Sequence, residues 1–136
     1  MTDTKIEITR TFDAPREAVF DAWTTPEHFA AWFGTLPAKT TLDVRVGGQW
    51  RATMEYEGNE MNFWGEYQQI DRPELLVLTF TDTPEGISTV TVTFTEDNGA
   101  TTMTMTQVGP LPEDQLDAAT EGWNHFFNEL ATLLAK

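Results

Sequence analysis

The chain has no cysteine, a single serine and only two histidines. Without cysteine there is no disulfide framework and no thiol chemistry. That absence suits a reducing compartment, and a cytoplasmic location is expected. His28 and His125 fall in separate segments with no HExxH or comparable spacing, so no metal site is expected. Ser88 lies in a threonine-rich stretch outside any nucleophile elbow, which argues against a serine triad. Gly47-Gly48 matches neither a GxxxxGK[ST] nor a GxGxxG pattern, and no cofactor is expected. No window approaches the roughly 20 apolar residues of a membrane-spanning helix. The opening MTDTKIEITR carries no apolar run of a secretory signal. Basic residues are also scarce: 8 against 22 acidic ones, for a net charge of −14. That balance argues against nucleic acid and anionic membrane surfaces as partners, and suits an ordinary protein kept soluble by its acids.

What the chain does have is large apolar side chains, five tryptophans and nine phenylalanines among 136 residues. This is enough for a substantial core, and the length suits one domain over residues 1–136. The aromatics can fill a core or line a cavity, and composition does not say which. They concentrate in the last stretch, from Pro112 onward. There Leu116, Ala119, Trp123, Phe126, Phe127, Leu130, Leu133 and Leu134 recur at the i, i+3, i+4, i+7 spacing of an amphipathic helix. Pro112, Glu113 and Asp114 suit a helix start, where the macrodipole favours acids.

Upstream the period changes to two. Ile6, Ile8, Arg10 and Phe12 share one face of a first strand. Asp13 is an N-cap candidate ahead of Pro15. Two short helices follow, with Ala18, Val19, Ala22 and Trp23 marking the buried side of one, and Phe29, Ala30, Trp32 and Phe33 that of the next, to Gly34. A weak strand is expected over residues 41–46. Strands then follow through Trp50 to Tyr56, Met61 to Tyr67, Leu76 to Phe80, Val90 to Phe94 and Met103 to Met105. Between them, Gly47-Gly48, Glu57-Gly58-Asn59, Asp71 to Glu74, Pro84 to Gly86 and Asp97-Asn98-Gly99 read as turns. Gly65, inside a strand, marks a bend or a close approach by another element. The pattern predicts an α+β fold, β-α-α-β6-α: a curved antiparallel sheet wrapped around the long C-terminal helix.

A concave, mostly apolar space with a few polar groups is the default place for a ligand. Its expected lining is Trp32, Phe33, Trp50, Met54, Met61, Phe63, Tyr67, Phe80, Met103, Met105, Trp123, Phe126 and Phe127. Candidate polar groups are Arg10, Tyr56, Gln107 and His125. For each, the alternative is a place in a filled core or at a rim. Glu55, Glu57, Glu60 and Glu66 crowd the central hairpin, but alternation turns Glu55 and Glu66 to solvent, so no catalytic residue is assigned.

Phe12 to Gly34 (FDAPREAVFDAWTTPEHFAAWFG), VGGQW at Val46, FWGEY at Phe63, DRPELLVLTF at Asp71 and the closing Gly122-Trp123 helix occur in one order. Together they resemble the SRPBCC (START-like, helix-grip) proteins over nearly the whole chain. The closer resemblance is to the family named after the activator homologue of the heat-shock protein 90 ATPase. The resemblance implies a helix-grip domain with a deep hydrophobic cavity between sheet and C-terminal helix. It implies a lipid-like, aromatic or polyketide-like small-molecule ligand, and the missing catalytic constellation makes binding without catalysis the expectation. The alternatives it leaves open are an interaction module acting on a chaperone and a cyclase or hydrolase acting on an apolar substrate.

Overall fold

The computed structural model describes residues 4–81, 86–110 and 113–135, apart from the side chain of Tyr56. Its elements run β1 (Thr4–Phe12), α1 (Arg16–Thr24), α2 (Pro26–Phe33), β2 (Thr40–Leu42), β3 (Gln49–Tyr56), β4 (Asn59–Asp71), β5 (Leu75–Phe80), β6 (Ser88–Asp97), β7 (Ala100–Gly109) and α3 (Leu116–Leu134). All pairings are antiparallel, and the strands lie in the order β1-β7-β6-β5-β4-β3-β2. The long jump from β1 to its partner β7 places α1, α2 and α3 together against one face.

Alternation decides that face. Ile6, Ile8 and Phe12 of β1, Leu76 and Leu78 of β5, Val90, Val92 and Phe94 of β6, and Met103 and Met105 of β7 are buried. Against them lie Val19, Phe20, Ala22 and Trp23 of α1, Phe29, Ala30, Trp32 and Phe33 of α2, and Trp123, Phe127 and Leu130 of α3. The expected turns recur where the backbone needs positive φ: Glu57 and Gly58 join β3 to β4, and Asn98 and Gly99 join β6 to β7.

Four local expectations are corrected. Asp13 does not cap α1. Pro15 occupies that position in an extended conformation, and the free Arg16 N–H donates instead to the Glu96 carboxylate at 2.9 Å, from the far end of β6. β2 stops at Leu42 rather than running to Val46. Beyond it the chain bends, with Gly48 N–H donating to Arg45 O at 2.8 Å and Arg45 Nε to Asp43 at 2.9 Å, so Val46 is 67% exposed. α3 begins at Leu116, after a 3-10 turn at Glu113–Gln115. Pro112 lies outside the described residues, as does Pro84 of the expected loop before β6. The first helix also buries Phe20, whose ring meets Phe94 edge-on at 5.5 Å.

The expectation for Gly65 holds, and its cause is specific. Trp50, opposite Gly65 in the β3–β4 register, passes its indole across β4 and donates from Nε1 to Thr79 O of β5 at 2.9 Å. Glu66 N–H turns to the Thr79 hydroxyl at 2.9 Å. On either side β4 and β5 pair again, through a backbone-bonded bridge at Trp64 and Thr81 and from Tyr67 onward, where the register shifts once between Tyr67 and Gln69. A Cβ on residue 65 would stand 1.9 Å from Thr79 O and 2.5 Å from the Trp50 nitrogen. Gly65→Ala is therefore expected to cost about 2–4 kcal/mol, since backbone rather than a side-chain tip must move. Urea denaturation monitored by circular dichroism measures it, and a cost under about 0.5 kcal/mol contradicts this packing.

Candidate ligand site

Two layers of aromatic rings meet under α3. The inner layer is filled. The Trp23 and Trp32 rings lie 4.8 Å apart, and each touches both Phe29 and Phe127. Each indole there has a partner: Trp23 Nε1 donates to Met103 Sδ at 3.4 Å and Trp32 Nε1 to Ala22 O at 2.8 Å. Trp32, Trp50, Tyr67, Met103, Met105 and Phe127, all named as lining, are almost wholly buried side chains of this packed core.

The outer layer is not filled. Phe33 of α2, Phe63 of β4, Phe80 of β5, and Trp123 and Phe126 of α3 surround a hollow of about 200 Å³. Phe33 touches Phe63, Phe80 and Phe126 at centroid distances of 5.3, 6.0 and 4.8 Å, so the rings form a continuous wall. Phe63, Phe80 and Phe126 are only half-buried and make its rim. Among the described residues of the wall, Gln107 of β7 is the one with a polar side chain besides the Trp123 indole. Its Oε1 accepts from Trp123 Nε1 at 2.8 Å, which leaves the amide nitrogen as a free donor.

The hollow thus brings together five of the expected apolar residues and one of the polar ones. Ala119 and Gly122 of α3 also line it and were not expected. A Cβ added to Gly122 meets no atom within 4 Å. Nothing in the protein's own packing needs a glycine there, although glycine in a helix interior costs about 1 kcal/mol relative to alanine. Its position beside Trp123 on the apolar stripe was the available signal.

The remaining candidates lie elsewhere. Met54 is half-buried near Gly34, and Met61 is 42% exposed on the β3–β4 hairpin. Arg10 donates to Asn128 Oδ1 of α3 at 2.9 Å and rides 6.0 Å over the Phe12 ring, a tie between sheet edge and helix. His125 is exposed on α3, one residue outside the apolar stripe. The side chain of Tyr56 lies outside the described residues. Glu55 and Glu60 stand opposite each other, both exposed, with Glu60 held by Lys39. No helix among the described residues is long and apolar enough to cross a membrane.

A seven-stranded antiparallel sheet curled against a long C-terminal helix, with the two short helices between β1 and β2, is the α+β helix-grip fold of START-like proteins. Sequence narrows the class. Residues 13–135 match the model of the activator of Hsp90 ATPase homolog 1-like family, within the SRPBCC superfamily, and the chain belongs to that family. Solved structures of the same fold include protein CV1439 from Chromobacterium violaceum, 23% identical with a TM-score of 0.86, over 98% of this chain and 99% of that one. An uncharacterised protein from Rhizobium leguminosarum is 24% identical with a TM-score of 0.84, over 98% and 95% of the two chains. DynU16, from the dynemicin biosynthetic locus, is 23% identical with a TM-score of 0.83, and the match spans 97% of this chain but 47% of DynU16. No curated protein sequence matches the chain.

Tyr67 supplies a test of the core behind the hollow. Burial, with a smaller contribution from Asp43, pushes its phenol well above the ordinary tyrosine value of about 10. Above pH 10 the unfolded chain releases this proton while the folded one keeps it, so the unfolded state binds fewer protons and stability falls as pH rises. Below pH 10 both states hold the proton and Tyr67 contributes no slope. The wild-type protein is expected to lose up to about 1.4 kcal/mol more per pH unit above pH 10 than Tyr67→Phe does. Urea denaturation of the two proteins between pH 9 and 11.5 reads the difference, and parallel curves would contradict the burial.

Proposed function

We propose that this protein binds a small apolar molecule in the hollow between α3 and the sheet, without transforming it. The observation that carries the reading is the unfilled space beside Gly122: five rings converge on it, and a helix glycine that no neighbouring atom requires keeps it open. The volume is below the roughly 300–1,000 Å³ of drug-sized pockets. A ligand of one or two flat rings fits among the aromatic walls, and a longer one needs the rim rings of Phe63 and Phe126 to swing aside. The free Gln107 amide nitrogen selects a ligand with one acceptor, such as a carbonyl or phenolic oxygen. The occurrence of DynU16 in a biosynthetic locus agrees with a role for this fold toward small molecules. A cytoplasmic setting and a single domain are part of the same proposal.

Native mass spectrometry of the purified protein, beside its denatured mass, is the first test. An adduct lost on denaturation supports the reading and gives the ligand's mass. Substitution at Gly122 is the sharper one. Gly122→Ala is expected to stabilise the protein by about 0.5–1 kcal/mol through helix propensity, while weakening ligand uptake. Gly122→Leu is expected to abolish uptake with the fold intact. Unchanged uptake in Gly122→Leu would sink the proposal. Weight would then shift to a chaperone as partner, which titration against a heat-shock protein 90 class ATPase measures.

A further inference from the structure

The opposite face of the same strands carries a second hollow, of about 390 Å³, with Arg51 and Trp64 in its wall. These two are direct cross-strand neighbours, Arg51 on β3 and Trp64 on β4, and both point away from α3. Each is an exception in this protein. Lys5, Arg16, Lys39, Arg45 and Arg72 pair with acids, and Arg10 with an amide. Among the described lysines and arginines, Arg51 alone has no partner, in a chain with 22 acids to choose from. Trp23, Trp32, Trp50 and Trp123 each donate their indole N–H within the protein. Trp64 donates to nothing and touches no other ring among the described residues.

The rest of the wall has the same bias. Among the described residues no acid lines this hollow, and Lys39, Thr41, Thr53, Asn62 and Phe63 do. The Thr53 hydroxyl bonds the Asn62 amide oxygen at 2.8 Å, which leaves the Asn62 nitrogen as the free end, a donor. Lys39 already has its charge matched by Glu60. What remains is one unmatched guanidinium, a set of hydrogen-bond donors and one half-buried indole with no ring against it among the described residues.

We propose that this outer hollow binds a small planar monocarboxylate. The carboxylate takes the two-pronged bond from Arg51, and the ring lies against Trp64. An acidic protein fits less well. Its many charges would meet the −14 of this chain, whereas a single negative charge meets that repulsion once. The volume also lies within the range of small-molecule sites.

Benzoate and its neutral analogue benzamide are the probes, and the tryptophan indole N–H signals of the nitrogen-15-labelled protein are the readout. The Trp64 signal is the one that disappears in Trp64→Phe. Benzoate is expected to shift that signal in a saturable way and to leave the Trp123 signal in place. Benzamide is expected to bind at least about tenfold more weakly, as is benzoate to Arg51→Gln. Arg51 is exposed, so Arg51→Gln keeps its fold, which its unchanged thermal midpoint verifies. The proposal is overturned if benzamide equals benzoate, if Arg51→Gln binds as well as wild type, or if no signal moves by about 10 mM benzoate. It is also overturned if only Trp123 responds, because the probe then sits under α3.

Discussion

Three strands are held by one missing side chain. Because residue 65 has no Cβ, the Trp50 indole can cross β4 and reach the Thr79 carbonyl on β5. That carbonyl and the Glu66 N–H would otherwise face each other in the ladder. Each instead finds a side-chain partner, so neither is left unpaired where the ladder opens. Pairing resumes at Tyr67, shifts register once before Gln69, and runs on to Asp71. The opening locks Trp50 against Phe29 of α2 and Phe80 of β5. The packing of α2 onto the sheet, and with it the position of Phe33 at the hollow, depends on that crossing.

The tryptophans separate filled space from unfilled space. A buried indole must place its N–H, and four of the five do so inside the protein. Trp23 and Trp32 do it among rings that touch on all sides, and that region is plain core. Trp123 does it at the margin, through Gln107, with one face toward the hollow. The same bond that satisfies Trp123 fixes which end of Gln107 remains free. A polar group useful to a ligand is thus held in place by the core that the ligand lies against.

Much of this was legible in the sequence, because binary patterning is a local signal. The period of two in β1, β5, β6 and β7 and the helical stripe through Trp123 and Phe127 identified the buried faces, and Gly58 and Gly99 identified hairpins. Gly65 announced a close approach, though not by which residue. What was not legible depended on partners distant in the chain. Asp13 lost the cap of α1 to Glu96, 80 residues beyond the Arg16 N–H that it accepts from. Arg10 lies on the apolar side of β1, but Asn128 draws its head to the helix rather than into the hollow. Met61 has the right parity for the inner face but stands too far along the hairpin for the helices to cover it. Parity says which way a side chain points and nothing about whether anything is there to meet it. For the same reason the sequence could not tell aromatics that fill from aromatics that enclose: Trp32 and Phe33 are neighbours in one helix, and Phe33, not Trp32, lines the hollow under α3.

Gly122 and Arg51 are departures from stability of different kinds on opposite sides of the same sheet. Inside, a helix forgoes about 1 kcal/mol of propensity to leave a space unfilled. Outside, a guanidinium forgoes an ion pair that 22 acids put within the chain's means. An exposed ion pair is worth at most about 1 kcal/mol, so the second omission costs folding little and leaves Arg51 with its hydrogen-bonding capacity unspent. The first is the more telling, since alanine would fit without displacing any neighbour. A packing defect that repacking could remove at no steric cost is weak evidence of strain and strong evidence of use. Local rules are broken most readily where a site needs them broken, and at Gly122 the broken rule coincides with five converging rings and a free amide.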